Sequence, residues 1–311
     1  MQSVRARPMV EGALLAALTA LLGLLAFYTG LGLLQPLPVL LAYIRHGGRL
    51  ASLVAIVAAG VLALWAGPLA AVGSLGFVVA VGLLPGWALR RGAGLPLTIT
   101  AMTIGLLALT ALGLLGSEVL WHTNVWGQAW QQLSSFMDAH QALLATAGLT
   151  AATALGMVRT MLPVAALLGA TGESLAVYLL AAVVFARLGH PLPRLLPFAR
   201  WRLPPLTAWG VLVALGVLLV GERSGHKVLV PIALNPLLLA ALAYAVVGLA
   251  ISYGWLRRRG LGRGPAAVLL GVATWLLSAF GLSLALPLGG LLASQLSAHP
   301  GQLPGDGGNV R

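Results

Sequence analysis

Residues 95–117, LPLTITAMTIGLLALTALGLLGS, contain no charged side chain. The run exceeds the roughly 20 apolar residues that a helix needs to cross a hydrocarbon core about 30 Å thick. Lipid offers the backbone no hydrogen-bond partner, so such a run is read as a helix. Outward from it the same texture recurs. Apolar stretches at 9–31, 48–66, 69–90, 162–187, 206–221, 229–256 and 265–285 are separated by short basic or glycine-rich breaks. A shorter stretch, 34–45, opens with Pro36 and Pro38 and completes nine expected spans. No ten-residue alternation of apolar and polar residues appears, which argues against an outer-membrane barrel. The expected fold class is therefore all-α: a polytopic transmembrane helix bundle.

Composition agrees. Of 311 residues, 59% are apolar and only 8% are charged, with a mean hydropathy of +0.98. A soluble domain carries about a quarter charged residues, and so few cannot cover a water-facing surface of this size. The net charge of +12 does not indicate nucleic acid, because the cations lie in short clusters between apolar runs rather than on one polar face. The chain has no cysteine, which excludes a disulfide framework, a thiol nucleophile and cysteine metal ligands. Arg5 and Arg7 followed by the run 9–31 resemble a signal peptide, but the run is too long for that and lacks a small-x-small cleavage site. It is read as a retained first span.

Charge also sets the expected topology. If 118–161 stays outside as an interfacial segment, 14 of the 18 Lys and Arg residues fall on the cytoplasmic side, in five clusters. These are Arg5 and Arg7; Arg45 and Arg49; Arg90 and Arg91; Arg187, Arg194, Arg200 and Arg202; and Arg257, Arg258, Arg259 and Arg263. If 141–161 crossed, the Arg194–Arg202 loop would face outward. The expected organisation is a six-span bundle over 1–187 and a cytoplasmic Pro/Arg-rich loop over 188–205. A three-span bundle over 206–296 and a disordered tail over 297–311 complete it.

The outer segment repeats Trp126, Trp130, Leu133, Met137 and Leu144 at helical spacing, with Gln128, Gln131, Gln132, Ser135 and Asp138 on other faces. An amphipathic surface helix with an aromatic belt is the leading reading. The sharper alternative is a lid in which Trp121, Trp126 and Trp130 stack on a ligand, with Glu118 at the cavity mouth.

Intramembrane acids are costly and therefore informative. Glu173 lies in Gly169-Ala-Thr-Gly-Glu-Ser174, about 16 Å along a helix counted from Leu162. It is expected to be protonated and bonded to a neighbouring helix, or to line a polar cavity; Arg159 is too far along the helix to pair with it. Glu11 is expected to pair with Arg5 or Arg7, and Asn235-Pro236 to mark a local kink. Ala13, Ala17 and Ala20 form a smooth strip on the first span, and Gly82 and Gly86 a second small pair. Such strips let helices approach closely, either within the chain or against a partner. No two histidines have metal-site spacing, and no nucleotide-binding or nucleophile motif occurs in its proper context. No metal, cofactor or catalytic residue is expected.

The chain resembles the YybS-like family of uncharacterised bacterial membrane proteins. The resemblance rests on Glu11-Gly-Ala-Leu-Leu-Ala-Ala-Leu18, Pro36-Leu-Pro38 with Arg45-His-Gly47, Leu162-Pro163, Arg187-Leu-Gly189 leading to Pro197-Phe198, and Trp201-Arg-Leu-Pro204. The first six spans are also similar to the substrate-binding S components of energy-coupling-factor transporters. That resemblance implies docking of a coupling-factor membrane subunit and its ATPases at Ala13, Ala17 and Ala20. It ends near Arg187, and three further spans and the long outer segment depart from it. The implied role is a small-molecule-binding transport subunit of the bacterial cytoplasmic membrane, N-terminus inside, taking a vitamin or metabolite. The alternative is a scaffold or regulator of cell-envelope proteins, with an intramembrane enzyme third.

Overall fold

The computed structural model describes residues 3–29, 31–122, 124–193, 197–225, 228–279, 287 and 291. Among these residues it is helical, without a strand. Seven helices are long and apolar enough to span a membrane: Pro8–Ala26, Gly48–Ala66, Pro68–Arg90, Leu95–Val119, Ala151–Arg187, Leu206–Ser224 and Leu229–Arg258. The chain divides into two compact units, one of Met1–Gly156 with Ala165–Arg194, the other of Met157–Val164 with Leu195–Arg311.

In the first unit, α1 (Ser3–Thr29) runs to a 3₁₀ turn at Leu31–Leu34, and α2 (Pro36–His46) returns beside it. α3 (Gly48–Ala66) and α4 (Pro68–Val78) follow, and a π-turn at Val79–Leu83 carries α4 into α5 (Leu84–Arg90). Next come α6 (Leu95–Trp121), α7 (Val125–Ala139), α8 (Gln141–Thr146) and α9 (Ala151–Arg187).

The expected span at 34–45 takes a different form. α2 has eleven residues, about 16 Å of helix, roughly half of a hydrocarbon core. Pro36 through Ala42 are all buried, so α2 presents no face to lipid there. It is the centre of the unit, packed by α1, α3, the π-turn and α5. Val39, Leu40, Val54, Val78, Val81, Met102, Val177, Tyr178 and Phe185 belong to the surrounding core.

Lipid tails are as apolar as leucine, so these helices associate through close packing rather than the hydrophobic effect. Small residues make that possible. A Cβ on Gly86 would sit 2.6 Å from Cγ of Tyr43 on α2, and one on Gly82 would sit 3.2 Å from the Pro36 carbonyl oxygen. The Gly82/Gly86 pair is thus internal. On α1, Gly12 faces Leu50 and Gly23 faces Gln35 and Leu62 in the same way. Hydroxyls are satisfied within their own helices, as where Thr19, Thr110 and Ser174 donate to the carbonyl four residues back.

Helices take up both ends of the stretch 118–161. α6 continues to Trp121, and α9 starts at Ala151, where Thr150 Oγ1 accepts a bond from the Thr153 amide. α9 then runs 37 residues through Pro163 without a break, about 55 Å of helix. α7 and α8 between them have no buried residue.

The second unit contains a 3₁₀ turn at Phe198–Arg200, α10 (Leu206–Ser224), α11 (Leu229–Arg258) and α12 (Arg263–Ala279). The last expected span, 265–285, is described only to Ala279. The expected tail 297–311 lies outside the described residues. α10 and α11 form a hairpin, tied by a 2.7 Å bond between Thr207 and the buried Tyr244 hydroxyl. The stretch of α9 belonging to this unit is clipped to α11 by Asn235. The Asn235 amide nitrogen donates to the Thr160 carbonyl at 2.9 Å and to the Pro231 carbonyl at 2.8 Å. Its oxygen accepts from the Val164 amide at 3.3 Å. Thr160 and Val164 are the pair that flanks Pro163, where the ring disturbs the helix ladder. Asn235 therefore serves the turn around Pro163 on another helix, beyond the local role expected beside Pro236.

Candidate functional site

The sequence-derived site residues fall in three places. The first is the junction of α6 and α7. α6 ends on His122, whose left-handed φ of 49° lets its amide bond the Ser117 carbonyl. Asn124 then starts α7, its side-chain oxygen accepting from the Gly127 amide at 2.6 Å. This reversal leaves an open cavity of about 300 Å³ lined by Leu114, Leu115, Ser117, Glu118, Asn124, Val125 and Trp126. Glu118 is exposed, with no hydrogen-bond or ion-pair partner among the described residues. Trp126 stacks on Trp130, with centroids 6.2 Å apart and planes 24° apart. Glu118 and Trp126 are thus brought together, and Trp130 backs Trp126 without lining the cavity. The Trp121 side chain lies outside the described residues. An acid, an amide and an indole around a shallow apolar cleft suit a small molecule with a ring and a hydrogen-bonding edge.

The second place is α9. Glu173 lies 14 residues before Arg187, roughly 21 Å at 1.5 Å per residue. It borders the buried stripe of Ala170, Ser174, Val177, Tyr178 and Ala181. Ser174 is fully buried, donates to the Ala170 carbonyl at 2.7 Å and accepts from the Thr103 hydroxyl of α6 at 3.4 Å. Glu173 itself is half-buried, and its carboxyl has no hydrogen-bond or ion-pair partner among the described residues. It does not line the α6–α7 cavity.

The third place is α1. Ala13 and Ala17 are exposed, flanked by exposed Val10, Leu14, Leu18 and Leu21. Ala20 is not on that surface. It is 3% exposed and belongs to the inward face with Ala16 and Thr19, so the strip divides along its length.

The basic end of the first unit was only half anticipated. Glu11 bonds Arg45 and, at 2.9 Å, His46, both at the end of α2. The expected partners, Arg5 and Arg7, have side chains outside the described ones. Arg45 Nε donates to His190 Nε2 at 3.0 Å, three residues beyond Arg187. Arg90 lies against the α2–α3 turn, where only a glycine fits. A Cβ on Gly47 would meet its guanidinium at 2.5 Å, and the backbone there has φ 95°. The clusters at Arg45, Arg90 and Arg187 thus share one end with Glu11. In the second unit Phe198 packs edge-on against Tyr253, with centroids 6.0 Å apart. That places Arg200 at the same end as Arg257 and Arg258. Sequence reading also missed buried Gln35, which donates to Ser74 of α4. Its signal was a lone amide inside an apolar run.

Residues 13–289 match the family described as "Predicted membrane protein (DUF2232)". The chain belongs to that family. The family match takes in both units and all three places above, from Ala13 to beyond α12. No curated protein and no solved structure matches the chain. No group of three or more His, Asp or Glu suited to a metal ion occurs among the described residues.

Proposed function

We propose that the chain is the membrane-embedded, small-molecule-binding subunit of a transport system, energised by partner ATPases. One observation carries this reading: Glu173, a half-buried acid within a membrane-spanning helix, has no hydrogen-bond or ion-pair partner among the described residues. A carboxyl is costly in lipid, and one kept only for packing normally bonds a neighbouring helix, as the adjacent Ser174 does. The cleft of Glu118, Asn124 and Trp126 supports the reading as an outer entry point. Within it the N-terminus and arginine-rich end face the cytoplasm of a bacterial inner membrane, and α7 and α8 lie outside on the surface. The role requires no catalytic residue and no cofactor.

The test is native mass spectrometry of the full chain released from lipid nanodiscs. A retained small molecule is expected, with occupancy at least tenfold lower in Glu173→Gln. Equal retention by the variant removes Glu173 from the site, and no retained molecule in either removes the binding role.

A second reading, a scaffold for cell-envelope proteins, is favoured by the exposed Ala13/Ala17 face of α1. Both readings use that face for a partner's helix. Co-purification of ATPases supports transport, and co-purification of envelope proteins without ATPases supports the scaffold.

A further inference from the structure

One segment occurs twice. GWALRRGAG at 86–94 and GWLRRRGLG at 254–262 share Gly, Trp, Arg, Arg, Gly and Gly at six of nine aligned positions. The first copy lies in the first unit and the second copy in the second. Each copy ends a membrane-spanning helix and is followed by a further helix, α6 after the first and α12 after the second.

The backbone is the same in both. The Arg91 amide bonds the Trp87 and Ala88 carbonyls at 3.3 and 3.1 Å, and the Arg259 amide bonds those of Trp255 and Leu256 at 3.1 and 3.1 Å. Gly92 and Gly260 take left-handed φ values of 74° and 87°, which glycine adopts without strain. The next amide returns to the helix in each, Ala93 to Ala88 and Leu261 to Leu256. The following helix then begins with the same offset, Thr98 bonding Gly94 and Ala266 bonding Gly262, both at 3.1 Å.

The side chains repeat as well. The Arg91 guanidinium lies 4.4 Å above the Trp87 ring, and that of Arg259 lies 4.2 Å above the Trp255 ring. The two indoles are 45% and 47% exposed, a half-in, half-out position that tryptophan takes at a membrane surface. One further arginine in each copy is used inside the protein: Arg90 against Gly47, and Arg257 donating to the Leu261 carbonyl at 2.6 Å. The stacked arginines differ. Each is exposed, and its guanidinium has no hydrogen-bond or ion-pair partner among the described residues. Neither copy contains an acid. Glu11 is engaged by Arg45 and His46, and Glu222 lies at the other end of the α10–α11 hairpin.

We propose that the two corners are matched binding sites for the headgroup phosphate of an anionic membrane lipid. A guanidinium held flat on an indole keeps its edge donors free, and that edge matches two phosphate oxygens. The exposed indole lies among the acyl-chain carbonyls while the arginine reaches the headgroup level. The occupant is a lipid because each corner ends a membrane-spanning helix, where the nearest abundant phosphate belongs to the bilayer.

The test uses the full chain in nanodiscs of phosphatidylcholine with and without phosphatidylglycerol, read by native mass spectrometry. Two phosphatidylglycerol molecules are expected to survive activation that strips phosphatidylcholine. Arg91→Gln and Arg259→Gln should each lose one, and the double variant both. Arg187→Gln, which removes an exposed charge elsewhere, should keep both. Retention by the double variant overturns the proposal, and so does equal loss in Arg187→Gln. Displacement of the lipid by millimolar inorganic phosphate overturns the assignment to a lipid. The arginines are exposed, and unchanged circular dichroism in each variant separates loss of binding from loss of fold.

Discussion

Asn235→Leu is expected to loosen the second unit through the backbone of α9 rather than through lost volume. Leucine matches asparagine closely in size but offers neither donor nor acceptor. The change removes bonds to the Thr160 carbonyl, the Val164 amide and the Pro231 carbonyl. Hydrogen bonds between helices in lipid average about 0.6 kcal/mol, with a maximum of about 1.7 kcal/mol. Two interhelical bonds therefore set a range of about 1–3 kcal/mol, towards the upper end because the groups left behind have no water to turn to. A loss of about 2 kcal/mol is roughly a 30-fold shift in the unfolding equilibrium, since 1.4 kcal/mol is tenfold. Reversible unfolding in mixed micelles, followed by tryptophan fluorescence, measures it. Pro163→Ala supplies the decisive control. Alanine restores a donor at 163 and lets α9 close its ladder, so Asn235 should have less to repair. In a double-mutant cycle, Asn235→Leu on the Ala background should cost less than half of its cost on the native background. Equal costs on both backgrounds, or no cost on either, would refute the clip.

The first-helix strip separates into two outcomes. Ala20→Leu forces bulk into a packed face and should cost about 1–3 kcal/mol, whereas Ala17→Trp on the exposed face should change stability by less than about 0.5 kcal/mol while weakening co-purification of any partner; a destabilising Ala17→Trp would place that face inside. Ser135→Cys, in a chain without native cysteine, should react with an impermeant maleimide only from outside the cell, and labelling only from the cytoplasmic side would invert the topology.

Helical spans were legible because lipid leaves the backbone few choices. A run such as 95–117 reads as α6 without knowledge of its neighbours. Basic clusters were legible for a related reason, since charge resists crossing, and in the first unit the contacts of Arg45 with His190 and of Arg90 with Gly47 gather three of them at one end. The span at 34–45 misled because hydropathy treats a lipid-facing leucine and a buried one alike. Length was the better guide there: eleven residues cannot cross, yet they can fill a core. The sixth span was started at 162 on the charge balance of the loops, whereas α9 begins at Ala151 and runs through Pro163. The Asn235 side chain, from another helix, supplies groups at that site, and partners of that kind lie beyond any local pattern.

Which face of a helix meets protein is harder to read in lipid than in water. In a soluble helix, polarity marks the outside. On α1 both outcomes are written in alanine. Ala13 and Ala17 are exposed, and Ala16 and Ala20 are buried, although all four fall on one smooth strip. A methyl group carries no mark that distinguishes lipid from a neighbouring helix. The mark lies in the glycines that extend one edge of the strip. Gly12 sits four residues before Ala16, and Gly23 three after Ala20, and at each of them a Cβ would press on another helix or on Gln35. The other edge continues instead into Leu21, which is 53% exposed. Glycine costs a helix about 1 kcal/mol relative to alanine, so a line of glycine and alanine indicates contact, whereas a line of alanine and leucine leaves the face open. Gly82 and Gly86 meet that criterion, and both are internal. Ala13 and Ala17 form a small-residue pair on α1 with room for a helix from outside the chain.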